Sequence, residues 1–137
     1  MALVADQVYS KFFQELSKDN LIDPERTIMF LFSDHGTRWG SYRTTIYGKY
    51  EERLPAFAVA LPKQFKHEFP QAFEQLQENA NRLVTPFDVY HTLRDLLQVS
   101  ENGKFGVDSQ QLQRGSSLFG KISPSRSCDQ VGVEQHW

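Results

Sequence analysis

Apolar side chains recur at helical spacing over the first twenty residues. Charged and amide side chains occupy the other side of the same stretch, and the apolar positions are Leu3, Val4, Val8, Phe12, Phe13 and Leu16. This spacing predicts an amphipathic helix from Ala2 to about Lys18. Asn20 is a suitable C-terminal stop, and Pro24 cannot continue the helix.

Two short runs have the length and composition of buried strands. Residues 27–33 read TIMFLFS, and residues 56–61 read AFAVAL before Pro62. Because neither run alternates apolar with polar side chains, both are expected to be covered on two faces, as strands of a parallel sheet are. Two such strands cannot complete a sheet. Further strands are expected from a missing N-terminal region or, in a swapped dimer, from another chain.

Prolines place two helices after the second run. Pro70 limits residues 63–69 to a short turn and opens a helix with an apolar side. Residues 85–88 read TPFD, in which Thr85 can cap, Pro86 fits the first helical position and Asp88 can reach back to the capping amide. This second helix is predicted to run to about Val99. One face of this helix is predicted to be buried and the opposite face exposed to solvent. The residues predicted to be buried are Val89, Thr92, Leu93, Leu96 and Leu97, and those predicted to be exposed are Arg94 and Asp95.

Composition and charge exclude some classes of partner. The chain has 15 Lys and Arg against 17 Asp and Glu, a net charge of -2 that creates no global field for nucleic acid or an anionic membrane. It has neither an apolar run of about 18 residues nor a basic and apolar leader, so no membrane span or signal peptide is predicted. Cys128 has no cysteine partner in the chain, so it is an isolated thiol or its partner lies beyond Trp137.

The tetrapeptide Ser33-Asp34-His35-Gly36 directly follows the first predicted strand. Asp34 and His35 therefore stand at the carboxyl end of a strand, where α/β proteins place ligand sites. A carboxylate and an imidazole that are adjacent in sequence can ligate one divalent cation, and zinc, manganese, magnesium and calcium all stay open. The alternative is a turn in which Asp34 ends the strand and His35 is a solvated residue.

The 22 residues between Ser33 and Ala56 mix cations with aromatic side chains, as a pocket for an anionic or sugar-bearing ligand would. Arg38 and Arg43 could each offer a fork to a phosphate or sulfate, and Lys49 a point charge. Glu51 and Glu52 are interpreted as local ion-pair partners that fix the return of the loop. His91 and His67 are interpreted as packed or surface residues.

Several motifs in fixed order resemble a known family. The order is an apolar strand, Ser-Asp-His-Gly, a basic and aromatic loop, Glu-Glu-Arg-Leu-Pro, a strand and Thr-Pro-Phe-Asp-Val, with Arg-Gly-Ser-Ser-Leu-Phe from Arg114 and Ser-Arg-Ser-Cys before residue 129. From Asp6 onward the chain resembles an uncharacterised animal family of the sulfatase-like, alkaline-phosphatase-like superfamily.

The resemblance implies the C-terminal part of a three-layer α/β fold with a central, mostly parallel sheet. Residues 1–99 would form a partial core and residues 100–137 an irregular segment. Asp34 and His35 would be metal ligands, and the nucleophile would lie in an N-terminal half that this chain lacks, so no catalytic residue is assigned here. The resemblance further implies an extracellular or lumenal location.

Two functions follow as expectations. The first is a fragment of a metal-dependent hydrolase that acts on phosphate or sulfate esters, inactive alone, in which the metal and basic side chains neutralise developing charge. The second is a non-catalytic binding module that uses the Arg-Trp-Tyr loop to recognise another protein. A chain without a stable fold is the third possibility.

Overall fold

A computed structural model describes residues 2–19, 21–102, 105 and 114–134. Backbone contacts divide the chain into two compact units, Met1–Gln64 and Phe65–Trp137. The predicted domain organisation, a core over 1–99 and an irregular segment over 100–137, stays a prediction. Part of that segment, like the helix stop predicted at Asn20, falls outside the described residues.

In its described residues, the first unit contains two α-helices and two strands. These are α1 (Ala2–Lys18), β1 (Met29–Phe32), α2 (Ile46–Arg53) and β2 (Phe57–Ala60), with a 3₁₀ helix at Ser41–Thr44 before α2. The bounds of α1 are the predicted ones, because its apolar spacing is regular throughout. Both strands are confirmed and are shorter than predicted. The 3₁₀ helix and α2 were not predicted, because the loop sequence has little periodicity.

The two strands form an antiparallel sheet. Met29 pairs with Ala60 and Phe32 with Phe57. A mixed α/β architecture is thus confirmed, but the expectation of parallel strands is wrong for this pair. The short helices between the strands return the chain along β1 in the opposite direction, and a run of apolar residues carries no information on strand direction.

Apolar side chains of the first unit are widely exposed. Leu31 and Phe32 of the sheet are 50% and 57% exposed, so the predicted burial on both faces is wrong within this unit. An apolar groove of about 390 Å³ runs between α1 and β1 and is lined by residues that include Phe12, Leu16 and Phe30. No helix in the described parts of the chain combines the length and apolarity needed to cross a membrane.

Where it is described, the second unit is built on three helices and an irregular segment, residues 114–128. The helices are α3 (Lys63–Glu68), α4 (Pro70–Asn79) and α5 (Pro86–Asn102), and a 3₁₀ turn occupies Asp129–Val131. Pro70 opens α4 as predicted, whereas α3 replaces the predicted short turn with six helical residues. Among the described residues of this unit, the buried apolar side chains come from the helices, the irregular segment and the 3₁₀ turn: Phe65, Ala72, Leu118, Phe119, Ile122 and Val131.

The start of α5 is held by Asp88. The Thr85 amide donates to Asp88 Oδ2 at 2.7 Å, which confirms the reach back to the capping amide. The Thr85 hydroxyl donates to the same carboxylate oxygen at 2.9 Å, and the Asp88 amide donates to the Thr85 carbonyl. In a standard capping box the hydroxyl would accept the Asp88 amide instead, so this half of the motif differs.

The buried face of α5 is polar. Asp88 and Thr92 have no exposed surface and Asp95 is 5% exposed, whereas Leu93 and Leu97 are 38% and 72% exposed. The predicted burial was thus right for Thr92 and wrong for Leu93, Leu97 and Asp95. The apolar periodicity failed because polar groups of the C-terminal segment bind this side of the helix.

Polar side chains of α4 and α5 anchor the irregular segment. Asn79 Nδ2 donates to the Leu118 and Gly120 carbonyls at 3.0 and 2.7 Å. The Thr92 hydroxyl accepts the Leu118 amide at 2.9 Å. These side chains replace the backbone partners that a segment without regular structure lacks, so Leu118 is buried with its amide and carbonyl both hydrogen-bonded.

Candidate metal and anion site

Asp34 and His35, here called the Asp-His corner, lie directly after β1 and Ser33. The Ser33 hydroxyl donates to the His35 carbonyl at 2.9 Å, and the His35 amide donates to Asp34 Oδ1 at the same distance. These local bonds fold the chain into a tight bend at the end of the strand. The corner therefore has a defined backbone although its residues are in a loop.

The two side chains of the Asp-His corner face each other. His35 Nε2 lies 3.4 Å from Asp34 Oδ2, and His35 Nδ1 lies 2.7 Å from the Gly36 carbonyl oxygen. A carbonyl cannot donate, so Nδ1 carries the proton of this hydrogen bond. In the neutral imidazole the lone pair then sits on Nε2, beside the carboxylate. Metal-ligating histidines show this arrangement, with one nitrogen held by a carbonyl and the other on the metal.

The donor set of the corner fits a divalent cation. Two ligands at the usual zinc distances and tetrahedral angle are about 3.3 to 3.4 Å apart, whereas adjacent ligands of an octahedral magnesium ion are about 3.0 Å apart. The observed 3.4 Å is compatible with two ligands of one cation. Asp34 is 84% exposed, which leaves room for water or other ligands. Within the described ranges, no group of three or more His, Cys, Asp or Glu side chains could hold a metal ion.

Gly36 packs directly on the end of α2. Its amide donates to the Glu52 carbonyl at 3.0 Å, and a Cβ atom at this position would lie 1.7 Å from the Glu51 carbonyl oxygen. The Gly36 φ is not positive, so glycine is not needed here for its backbone conformation. It is needed because a side chain would prevent the close approach of the two backbones. The residue after His35 is thus fixed to the last turn of α2.

Glu52 brings two of the predicted anion-binding residues together. Its side chain is 6% exposed, Arg43 Nε lies 2.9 Å from Oε2 and Arg38 Nε lies 3.4 Å from Oε1. The interpretation of Glu52 as a local ion-pair partner is confirmed. The hydrogen bond from Arg43 lowers the pKa of Glu52 against the opposing effect of burial, with further help from nearby guanidinium charges.

Close backbone packing holds Arg43 at this position. Thr45 caps α2 by accepting the Gly48 amide at 3.0 Å. A Cβ on Gly48 would lie 2.1 Å from the Tyr42 carbonyl oxygen, so α2 and the 3₁₀ helix that carries Arg43 are in direct contact. Lys49, the third predicted anion-binding residue, lies exposed on α2. Trp39, Tyr47 and Tyr50 are also exposed, by 85%, 75% and 60%.

The Glu52 pairs predict a pH-dependent stability. A carboxylate with a lowered folded-state pKa stabilises the fold above its ordinary value of 4.5, and this contribution is lost as the pH falls through the lower folded-state value. We expect Glu52→Gln to melt below the wild type at pH 7, because both arginines then face a neutral amide.

Thermal melts monitored by circular dichroism should show the gap between the two proteins narrowing as the pH falls below 4.5. Glu51→Gln is the matched control, since Glu51 is the exposed neighbour. A gap that stays constant down to pH 3 would contradict this role of the Glu52 charge.

The structure also shows the surroundings of His91 and Cys128, two residues considered in the sequence analysis. His91 is half-buried and its Nε2 lies 2.6 Å from the Arg114 carbonyl oxygen, in agreement with its interpretation as a packed or surface residue. Cys128 is an exposed free thiol, and its predicted alternatives stay open. A buried pair, Asp88 with Arg126, was not predicted, because 38 residues separate them and no local pattern relates them.

Comparison with known proteins gives one family. The family model described as "Protein of unknown function (DUF229)" matches residues 1–137. The chain matches no curated protein and no solved structure.

Proposed function

We propose that this chain, which belongs to the DUF229 family of proteins of unknown function, supplies the Asp-His corner of a metal-dependent hydrolase-like protein. Its substrate would be a phosphate or sulfate ester. The supporting observation is the pairing of His35 Nε2 with Asp34 Oδ2 at 3.4 Å, while His35 Nδ1 is occupied by the Gly36 carbonyl. The imidazole donor favours zinc over magnesium and calcium.

The adjacent arginines support an anionic substrate. Two guanidinium charges meet one Glu52 carboxylate, which leaves one net positive charge in the cluster. Arg38 and Arg43 are 49% and 54% exposed, so a solvent-borne anion can reach them. Arginine forks match the oxygen geometry of phosphate and sulfate. Lys49 is proposed as a further, more mobile charge for the same ligand.

The residues of this chain would hold the metal and the ester in place. When bound, the cation supplies Lewis acidity to the ester oxygens. Asp34 and His35 contribute two ligands, and the arginines neutralise charge on the ester. Such a reaction also needs a nucleophile and more metal ligands, which we assign to other parts of the parent protein. The chain alone is therefore expected to be inactive.

The exposed apolar surface of the first unit supports a larger fold. Leu31 and Phe32 leave half of their area open on a sheet of two strands, and the groove beside α1 is apolar. Sheets become stable when more strands or helices cover such faces. We propose that further elements of an alkaline-phosphatase-like, sulfatase-like domain cover them, in a parent protein located outside the cell or in the secretory lumen.

Zinc binding tests the proposed ligands. We expect the full chain to bind one zinc ion weakly, because two protein ligands leave most coordination positions to water. His35→Ala and Asp34→Asn should each reduce the affinity at least about tenfold. Isothermal titration calorimetry measures this effect directly.

His67→Ala is the matched control for the zinc experiment, because His67 is an exposed histidine on α3. It should leave the affinity unchanged. Zinc binding that persists in the His35→Ala chain, or that disappears with His67→Ala, would refute the assignment.

A non-catalytic binding module is the alternative function. Its support is the exposure of Trp39, Tyr47 and Tyr50, since exposed aromatic side chains are common in recognition surfaces. Assays of the full-length parent protein separate the two. Metal-dependent turnover of an aryl phosphate or aryl sulfate supports the hydrolase, whereas a tight protein complex without turnover supports the module.

A further inference from the structure

Glu52 is a buried carboxylate in an unfavourable helical position. It lies in the last turn of α2 and is 5% exposed. A carboxylate near a helix C-terminus opposes the helix dipole, and a buried charge needs partners. Helix α2 therefore does not explain why a buried carboxylate stands at this position. The contacts with the two arginines do explain it.

Both arginines contact Glu52 through the same atom. The nearest atom is Nε in each: Arg43 Nε donates to Oε2 at 2.9 Å, and Arg38 Nε forms an ion pair with Oε1 at 3.4 Å. A guanidinium held at Nε keeps donors on its outer nitrogens. Because both side chains are about half exposed, these outer donors are within reach of a ligand in solvent.

The same residue is linked to the Asp-His corner. The Glu52 carbonyl accepts the Gly36 amide at 3.0 Å, and Gly36 directly follows His35. The carbonyl of Glu52 thus fixes the metal-ligand loop, while its carboxylate holds the two arginines. This arrangement joins the two halves of the site through one residue.

We propose that Glu52 is a positioning residue, whose carboxylate holds Arg38 and Arg43 so that their outer nitrogens bind one tetrahedral oxyanion beside the Asp-His corner. This inference rests on the proposed function, because it takes the anion as part of the ester substrate. It adds that the substrate is recognised by two arginines whose orientation Glu52 sets. Glutamine cannot replace Glu52, since its amide nitrogen repels one of the two guanidiniums.

Sulfate binding by the full chain tests this role. Inorganic sulfate is the probe, titrated with and without zinc and followed by NMR. We expect Glu52→Gln to weaken sulfate binding at least about tenfold, by analogy with residues that orient metal ligands. Glu51→Gln should bind sulfate as the wild type does. Zinc affinity measured without sulfate should be the same in all three proteins, which a general loss of structure would not allow.

A second measurement needs no variant. In the wild-type chain the Nε proton of Arg43 is donated to Glu52, so its NMR signal should persist when sulfate is added. The signals of the outer nitrogens should shift instead. This result decides the question if Glu52→Gln does not fold.

Three results would overturn the inference. The first is sulfate binding that is equal in Glu52→Gln and wild type, and the second is sulfate binding that is absent from the wild type. The third is loss of the Arg43 Nε signal on sulfate addition, which would mean that sulfate displaces Glu52. Zinc binding that depends on Asp34 and His35 would leave the proposed metal site standing in each case, whereas its absence would count against the proposed function separately.

Discussion

Asp88→Ala is expected to lower the free energy of unfolding by about 3 to 5 kcal/mol, the cost of removing one partner of a buried ion pair. Asp88 has no exposed surface, and its Oδ1 lies 2.8 Å from Nη2 of Arg126, a side chain that is 10% exposed. Alanine would leave this guanidinium buried without its carboxylate.

Asp88 also receives backbone amides from two directions. Thr85 donates from the start of α5 and Ser116 donates from the irregular segment, each at 2.7 Å. Arg126 adds a bond from Nη1 to the Leu83 carbonyl at 3.1 Å, so the pair closes the segment onto the turn before α5. In Asp88→Ala we therefore expect the amides of residues 114–126 to lose their protection against hydrogen exchange together.

Urea denaturation and hydrogen exchange measure the two effects of Asp88→Ala. The amides of Ser116 and Leu118 should exchange faster than in the wild type. Asp129→Ala is the control, since Asp129 stands in the first turn of the 3₁₀ helix and is exposed, and its effect should stay within about 0.5 kcal/mol. A loss below about 1 kcal/mol for Asp88→Ala would show that the buried pair does not organise the unit.

Gly36→Ala is expected to have the second largest effect, about 3 kcal/mol, together with loss of zinc binding. The added Cβ would lie 1.7 Å from the Glu51 carbonyl oxygen, and backbone must move to relieve this contact. That movement breaks the bond from the Gly36 amide to the Glu52 carbonyl. It also shifts the Gly36 carbonyl, which holds His35 Nδ1.

Gly120→Ala is the matched control for this substitution. The nearest heavy atom to a Cβ at Gly120 is 3.5 Å away, an ordinary contact, so stability should change by less than about 1 kcal/mol. Chemical denaturation and zinc calorimetry check both proteins. If Gly36→Ala binds zinc and unfolds as the wild type does, the close packing of the corner on α2 is wrong.

Local signals in the sequence predicted the elements that depend on local physics. The regular apolar spacing of α1 and the proline at the start of α4 act within a few residues, and the structure has both where predicted. The same holds for the contact between Thr85 and Asp88, three residues apart. Each of these features needs no information about distant parts of the chain.

Features that depend on distant partners could not be predicted. The buried face of α5 is defined by Asp88, Thr92 and their bonds to a segment 26 to 38 residues away, so apolar periodicity misassigned Leu97 and Asp95. The direction of β2 likewise depends on how the intervening helices turn the chain. Sequence pattern predicts which side chains are apolar, and only packing decides which of them are covered.

In the candidate site, the sequence predicted which residues carry charge or could bind a ligand, but it did not predict which of them are in contact. Asp34 and His35 are adjacent in the chain, so their proximity was foreseeable, and the structure has their side chains 3.4 Å apart. The meeting of Arg38 and Arg43 on one buried carboxylate was not foreseeable. It requires α2, a helix whose sequence has too few apolar positions to reveal it.

The Asp-His corner is tested most directly by NMR of the imidazole nitrogens of His35 during a zinc titration of the full chain. Long-range proton–nitrogen spectra distinguish a protonated, a free and a metal-bound ring nitrogen. We predict that Nδ1 keeps its proton throughout and that Nε2 changes from a free to a metal-bound nitrogen, an effect that Asp34→Asn weakens. Coordination through Nδ1, or an Nε2 signal that zinc leaves unchanged, would contradict the account.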